Sequence, residues 1–319
     1  MTSRAEATPG YQHHLLFAGS ELPREGLWDS VARLGSGPLK AMLSFKSEVR
    51  RLKPHIIHAH SSWAGVLTRI LPNPAIPVIY EPHCFKFDDP SLSPLQRSII
   101  RSTEAHLAKR TATFGVLTTH EDVLARKLTP DARTVFIPNV PTLPTATETS
   151  RNTERTKLVM IGRLSPQKDP AFFIEVVKSL RALQIPLIPI WAGDGDERLR
   201  TLLLDNGVSV TGWLDSAGLQ ATLKDAIYVH SATYEGLPLS LLDAAASGCP
   251  IVARKIPALF GLPIRQAEAP LAIAECIARL RSRSPEQQSA LDENMLLLRE
   301  FRRSNLSKQL REAYRVTLE

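Results

Sequence analysis

Residues 230–254 read HSATYEGLPLSLLDAAASGCPIVAR. The stretch runs as strand end, loop, helix and next strand. Ile227–Ala232 is a short apolar run rich in β-formers. Tyr234, Glu235 and Gly236 make a turn. Leu237–Ser247 has helical composition, with Pro238 in the first turn, where its missing N–H costs nothing. Gly248 and Pro250 stop the helix, and Ile251–Ala253 opens another buried strand. Two acids stand out. Glu235 lies where a parallel strand gives way to a helix, the edge at which open α/β sheets bind ligands. Asp243 lies about 9 Å beyond Leu237 along the helix axis, at about 1.5 Å per residue. Ser240, Asp243 and Ser247 share one face by their spacing. That stripe is either a solvated face or a row of ligand contacts, and these residues alone leave both open.

The same alternation extends in both directions. Downstream of residue 150, the strands are Leu158–Ile161, Leu187–Ala192 and Val208–Leu214. The helices are Phe172–Leu183, Glu197–Leu204, Leu219–Ala226, Leu271–Leu280, Met295–Phe301 and Leu306–Tyr314. Upstream, His14–Ala18, His55–His60, Val78–Tyr80, Phe114–Leu117 and Val135–Ile137 read as strands. Helices are expected at Leu39–Lys53, Ser61–Leu71, Pro94–Arg110 and Thr119–Leu128. Strand–helix alternation of this kind predicts α/β architecture with mainly parallel, doubly wound sheets. Pro141, Pro144 and the polar run after them read as a linker. The expected domains are 1–145, 146–300 and a terminal helix at 301–319.

The chain has 319 residues, room for two ordinary domains, and 43 % hydrophobic residues. No apolar run reaches the length of a membrane span, and the N-terminus lacks the apolar core of a signal peptide. Cys84, Cys249 and Cys276 have neither disulfide nor metal spacing, which suits a reducing cytoplasm. The net charge of +7 is spread over both halves. That argues against a nucleic-acid tail and fits anionic ligands or an anionic membrane surface.

After the strand Leu158–Ile161 comes GRLSPQKD, residues 162–169. Gly162 allows close backbone approach. Arg163 suits bidentate phosphate contact, and Lys168 adds a point charge. His83 follows a strand beside Pro82, as a loop histidine or a site residue. His58 and His60 point to one side of their strand. Without an acidic or cysteine partner in the sequence nearby, packed histidines are expected rather than a metal site. No Cys–His motif supports Cys84 as a nucleophile. Trp213, at the end of VSVTGWL, is either a pocket wall or core.

Taken together, these motifs resemble the retaining glycosyltransferases of family four, which have the GT-B fold and use nucleotide-diphosphate sugars. The family's E-G-x-x-L-x-x-x-E-A-x-A-x-G-x-P-V-V pattern is matched in register by Glu235, Gly236, Leu239, Ala244, Ala246, Gly248, Pro250 and Val252. Asp243 replaces the second Glu and is one methylene shorter. Residues 162–169 resemble the diphosphate element G-R-L-x-x-x-K-G, with Asp169 at the last Gly, and Gly193-Asp194-Gly195 resembles the G-x-G turn. HIIHAHSSWAG and VIYEPHCF resemble two blocks of the first domain, with Cys84 where the family has Gly. Pro138-Asn139 matches I-P-N-G, with Val140 for Gly. The glycine-rich loop that opens the family's first domain is missing. Either the start lies upstream or the domain is shortened.

The resemblance implies two Rossmann-like domains facing a cleft, with the last helix crossing back to the first domain. It implies transfer of a hexosyl group to an acceptor hydroxyl with retention, in polysaccharide or glycolipid synthesis. The nucleotide sugar is co-substrate, with no further cofactor and no metal. Arg163, Lys168 and the amides near Leu237–Leu239 would stabilise the departing diphosphate. Glu235 would hold hydroxyls of the transferred sugar, Asp243 the ribose hydroxyls, and His83 would lie near the donor phosphate. Gly162, Gly212, Trp213, Leu214 and Gly236 complete the implied donor contacts. The alternatives are a non-catalytic sugar-nucleotide-binding protein and another GT-B enzyme such as an epimerase. The implied acceptor is a carbohydrate or a lipid-linked one, and the implied location is cytoplasmic. A basic helix at Leu39–Lys53, with the stripe Leu39, Met42, Leu43, Val49 and Leu52, is either scaffold or a contact with an anionic membrane.

Overall fold

The computed structural model describes residues 2–19, 23–24, 26–70, 76–146, 154–281 and 284–319. The chain divides into two compact units, residues 1–138 with 303–319, and residues 139–302. The division falls after Pro138, so the prolines read as linker belong to the second unit. Most of the polar run behind them, 147–153, lies outside the described residues, as does Leu71.

The first unit begins with α1 (Thr2–Ala7), β1 (His14–Phe17), β2 (Ser30–Arg33), α2 (Pro38–Leu52) and β3 (Ile57–His60). It continues with α3 (Ser62–Ile70), β4 (Val78–Glu81), α4 (Pro94–Ala108), β5 (Thr113–Val116), α5 (Thr119–Leu128) and β6 (Thr134–Phe136). β3, β4, β5 and β6 form a parallel sheet in that order. Among the described residues β1 pairs only with β2, also in parallel, so the expected single sheet is split in two. Neither α1 nor β2 has a periodic apolar pattern long enough to be read from sequence. A core of Tyr80, Phe85, Phe87, Phe114 and Val116 packs the larger sheet against its helices. The fully buried Arg69 bonds Glu104 at 2.8 Å and lies 3.8 Å from the centre of the Tyr80 ring, so its charge is paired and covered.

In the second unit, β7 (Lys157–Ile161), α6 (Pro170–Ala182), β8 (Ile188–Ala192), α7 (Glu197–Asp205), β9 (Ser209–Val210) and α8 (Ser216–Leu223) come first. Then follow β10 (Ala226–His230), α9 (Leu239–Ala246), β11 (Ile251–Arg254), β12 (Arg265–Ala267), α10 (Pro270–Leu280) and α11 (Pro285–Glu300). The strand order is β12-β11-β10-β7-β8-β9, with every pair parallel. The chain thus starts in mid-sheet, winds to one edge, returns beside its first strand and winds to the other. β10 is buried along its whole length, which is why it reads as an unbroken apolar run. Several expected boundaries shift for local reasons. Pro238 is the residue before α9, extended at φ −69° and ψ 129°, rather than inside its first turn. α8 begins at Ser216 because the Asp215 side chain caps it by accepting from the Gly218 amide, and Ala226 belongs to β10. α11 begins at Pro285, ten residues before the expected start, behind a Ser284 cap. The expected strand Val208–Leu214 shrinks to two residues. The terminal helix α12 (Arg303–Leu318) belongs to the first unit, where Thr317 bonds Thr113 of β5 at 2.7 Å.

Candidate functional site

Where a doubly wound sheet reverses its strand order, the loops at the carboxyl ends of the two central strands diverge and leave a crevice. In the second unit those strands are β7 and β10. The loop after β7 carries Gly162, Arg163 and Lys168, and the loop after β10 carries Glu235 and Gly236. The two loops are stitched together. The Thr233 amide donates to the Gln167 carbonyl at 2.9 Å, Gln167 Nε2 donates to the Tyr234 carbonyl at 3.0 Å, and Ser231 Oγ donates to the Lys168 carbonyl at 2.6 Å. At the mouth, Lys168 Nζ is ion-paired with Glu235, their side chains 16 % and 11 % exposed. Arg163 is exposed, and no ion pair holds it among the described residues.

One departure from the family pattern has a local reason. Asp169 stands at φ +50°, where the family carries Gly. Asp tolerates this region better than most residues. Its Oδ1 caps α6 by accepting from the Phe172 amide at 3.1 Å, and its Oδ2 accepts from Arg254 at 2.7 Å. The Gly193-Asp194-Gly195 turn, at the end of β8, is packed against the backbone after β7. A Cβ on Gly193 would lie 2.1 Å from the Gly162 carbonyl oxygen. Beside that turn Gly212 bridges to Gly193, Trp213 is 67 % exposed and Leu214 is 37 % exposed. Trp213 is therefore not core. Leu239 is exposed at the start of α9, which has no side-chain cap, while Gly236 and Leu237 are buried.

The resemblance assigns Asp243 to ribose hydroxyls; in the structure it is 4 % exposed and engaged within its own unit. Its carboxylate accepts from the Thr142 amide at 2.5 Å, the Thr142 hydroxyl at 2.9 Å and the Leu143 amide at 3.0 Å. The shorter side chain holds the start of its own unit. The polar stripe is not a solvated face either. Ser240 Oγ bonds Tyr228 Oη at 2.9 Å, and Tyr228 Oη bonds His230 Nδ1 at 2.9 Å. His230 is fully buried, with Nε2 3.9 Å from Glu235 Oε1. Burial, and then the charge of Lys168, push its pKa well below the usual histidine value. This support behind Glu235 was not singled out from sequence, because the alternating Tyr228 and His230 read as ordinary strand residues.

In the first unit, His83 and Cys84 stand at φ +51° and +92° after β4. The Cys84 amide donates to Glu121 Oε1 at 2.7 Å, which fixes a loop conformation that the family builds with Gly. His83 Nε2 is 2.9 Å from His60 Nδ1, and the two rings stack with centroids 5.2 Å apart. Burial lowers the His83 pKa to about 4 despite the nearby Glu81 carboxylate. His58 and His60 do have an acidic neighbour. The β3–β4 register sets Glu81 opposite His60, and His58 Nε2 is 2.8 Å from Glu81 Oε1. α2 buries Ala41, Phe45 and Val49, with Met42 against the same core, but leaves Leu39 and Leu43 65 % and 60 % exposed. The expected stripe thus divides between core and surface.

Residues 4–140 match the model of the "Glycosyl transferase 4-like domain", and residues 155–282 that of "Glycosyl transferases group 1". The chain belongs to the group 1 glycosyltransferases. The chain is 25 % identical over 244 residues to the Escherichia coli UDP-Gal:alpha-D-GlcNAc-diphosphoundecaprenol alpha-1,3-galactosyltransferase, a match covering 68 % of the chain and 62 % of that relative. Its fold is that of the sucrose-phosphate synthase of Thermosynechococcus elongatus, with a TM-score of 0.78, 17 % identity, and 98 % and 91 % of the two chains covered. Anabaena HepE in complex with UDP-glucose gives a TM-score of 0.71 at 16 % identity over 90 % and 86 % of the chains. Both units thus have the Rossmann-like GT-B architecture. Among the described residues no helix is long and apolar enough to cross a membrane.

Proposed function

We propose that this glycosyltransferase moves a hexosyl group from a nucleotide-diphosphate sugar to an acceptor hydroxyl with retention of configuration, without a catalytic metal. The observation that carries the reading is the ion pair of Lys168 with Glu235 at the switch point between β7 and β10, on loops of which the first also carries Arg163. The anomeric C–O bond to the diphosphate breaks, a bond from the acceptor oxygen forms on the same face, and the acceptor proton passes to the departing phosphate oxygen. Arg163 and Lys168 stabilise the growing phosphate charge, and the uncapped start of α9 offers amides to it. Glu235 both holds Lys168 and faces the transferred sugar. His83, kept neutral, serves as a hydrogen-bonding group near the donor. Trp213 provides a free ring face for the base. Relatives and structural neighbours act on or bind uridine nucleotides, so UDP-galactose, UDP-glucose and UDP-N-acetylglucosamine are the first donors to try.

The acceptor is a lipid-linked sugar, as it is for the E. coli relative, and synthesis of a polysaccharide or glycolipid follows. The exposed Leu39 and Leu43, beside Lys40, Lys46, Arg50 and Lys53, support a peripheral contact of α2 with an anionic membrane on the cytoplasmic side. The test is incubation with donor and a lipid-linked acceptor, followed by NMR of the product. An axial donor linkage kept as an α-linked product supports the reading. Donor binding without turnover on any such acceptor would favour a binding protein, and donor isomerisation without acceptor an epimerase.

A further inference from the structure

We propose that His58, His60, Glu81 and His83 form a binding site for a borderline divalent cation of the zinc type at the carboxyl edge of β3 and β4. His58, His60 and Glu81 take no part in the proposed donor chemistry, His83 is shared with it, and cation binding needs no nucleotide sugar to be read out. Its donor atoms come from two adjacent strands and the loop behind them. His58 and His60 share one face of β3, and the parallel register brings Glu81 of β4 opposite His60. Single donor atoms of His58, His60 and Glu81 all lie within 4.8 Å of one another. Four-coordinate zinc, with bonds of about 2.0–2.1 Å to nitrogen, needs donor atoms roughly 3.3 Å apart. The pairs here bracket that value: 2.8 Å for His58 Nε2 to Glu81 Oε1, 3.9 Å for His60 Nδ1 to Glu81 Oε1, and 2.9 Å for His60 Nδ1 to His83 Nε2. The donor set, imidazole nitrogen with one carboxylate oxygen, selects zinc and its neighbours over magnesium or calcium.

The surroundings suit the ligating forms. Burial holds His60 and His83 neutral, and neutral imidazole is the form that binds metal. Arg4 Nη2 donates to Glu81 Oε2 at 2.8 Å and Arg4 Nε approaches Oε1 at 3.4 Å. The guanidinium orients the carboxylate, as hydrogen-bonding partners behind metal ligands do. It also offsets the carboxylate's charge, so the cation meets what is in effect a three-imidazole site. His58 Nε2 is buried and its contact with Glu81 lacks hydrogen-bond geometry. On binding, His58 keeps its proton on Nδ1, 3.5 Å from the Tyr314 hydroxyl, and gives the Nε2 lone pair to the metal. His83, whose side chain is 31 % exposed, supplies the fourth donor and the route in.

The experiment adds cobalt(II) to the full chain after chelator treatment and removal of the chelator. Stoichiometric binding with the intense visible bands of four-coordinate cobalt is expected, and zinc should displace it. His58→Gln and His60→Gln should each weaken binding by at least the ~10-fold typical of losing a group that hydrogen-bonds a metal ligand. His55→Gln, on an exposed histidine, should leave it unchanged. If either site variant fails to fold, His83→Gln takes its place, and a zinc-dependent rise in the wild-type unfolding midpoint serves as the second reading. The weak spectrum of six-coordinate cobalt, or affinity unchanged by the site substitutions, overturns the proposal.

Discussion

Lys168 and Glu235, 67 residues apart in sequence, are ion-paired across the carboxyl ends of β7 and β10. Each is mostly buried, so removal of either leaves the other charge poorly compensated. Glu235→Gln is expected to lower turnover more than nucleotide affinity, because its proposed partner is the transferred sugar. Lys168→Ala should lower kcat by about 100-fold or more, the range for losing one group that stabilises transition-state charge. Steady-state kinetics beside donor titrations check this. Equal losses in affinity and turnover for Glu235→Gln would remove its assigned role.

Asp243 accepts three hydrogen bonds from Thr142 and Leu143. Asp243→Ala strands those donors and should destabilise the protein by about 2–4 kcal/mol, from about 1–3 kcal/mol per buried unsatisfied group with part of the site reached by water. Asp243→Glu restores the family's usual residue but adds a methylene to a packed position, and should cost about 1–3 kcal/mol. Urea unfolding measures both. Full stability with a large loss of nucleotide affinity would return Asp243 to ribose binding.

His230 is held neutral in the folded state, its pKa lowered by burial and by Lys168. The unfolded chain takes up a proton below the ordinary value of 6.5, whereas the folded chain does not. The stability linked to His230 is therefore complete above pH 6.5 and is lost as pH falls toward the lowered folded value. Its share of the slope approaches about 1.4 kcal/mol per pH unit. His230→Gln should flatten the urea midpoint between about pH 6.5 and pH 5 relative to wild type. An unchanged slope would mean that His230 titrates normally.

Membrane contact through α2 predicts sedimentation with anionic but not neutral liposomes, fading as salt is raised. Leu39→Ser with Leu43→Ser should release the protein, since both side chains are exposed and the fold does not need them. So should reversing Lys40 and Lys46, with about 1 kcal/mol lost per cation near the surface. Equal pelleting of wild type and these variants would leave α2 as scaffold.

How far the sequence could be read depended on the distance over which information had to travel. The unit from β10 to β11 was legible because its apolar run, turn residues, helix stop and next strand are consecutive. The two loops of the switch point were legible as motifs, but their pairing through Gln167 and Thr233 follows from strand order. The acid beside the histidines is implicit in the two strands, because H-A-H of β3 set in parallel register with Y-E at the end of β4 places Glu81 opposite His60. The partners of Asp243 lie about a hundred residues away and left no local trace. α2 shows the limit of periodicity. Leu39, Met42, Leu43 and Val49 read as one face, and only packing separates the buried Val49 and partly buried Met42 from the exposed Leu39 and Leu43.

Calorimetry of nucleoside diphosphate against nucleoside tests the central claim most directly, with uridine and UDP as the pair and Arg163→Ala and Trp213→Ala as the variants. The account predicts that Arg163→Ala weakens UDP by about 1.5–3 kcal/mol and leaves uridine unchanged, as expected for a charged hydrogen bond to phosphate. Trp213→Ala should weaken both ligands alike, by about 1–3 kcal/mol for a lost stacking face. Equal losses of both ligands in Arg163→Ala, or no UDP binding by the wild type alongside tight binding of another nucleotide lacking a diphosphate, would contradict it.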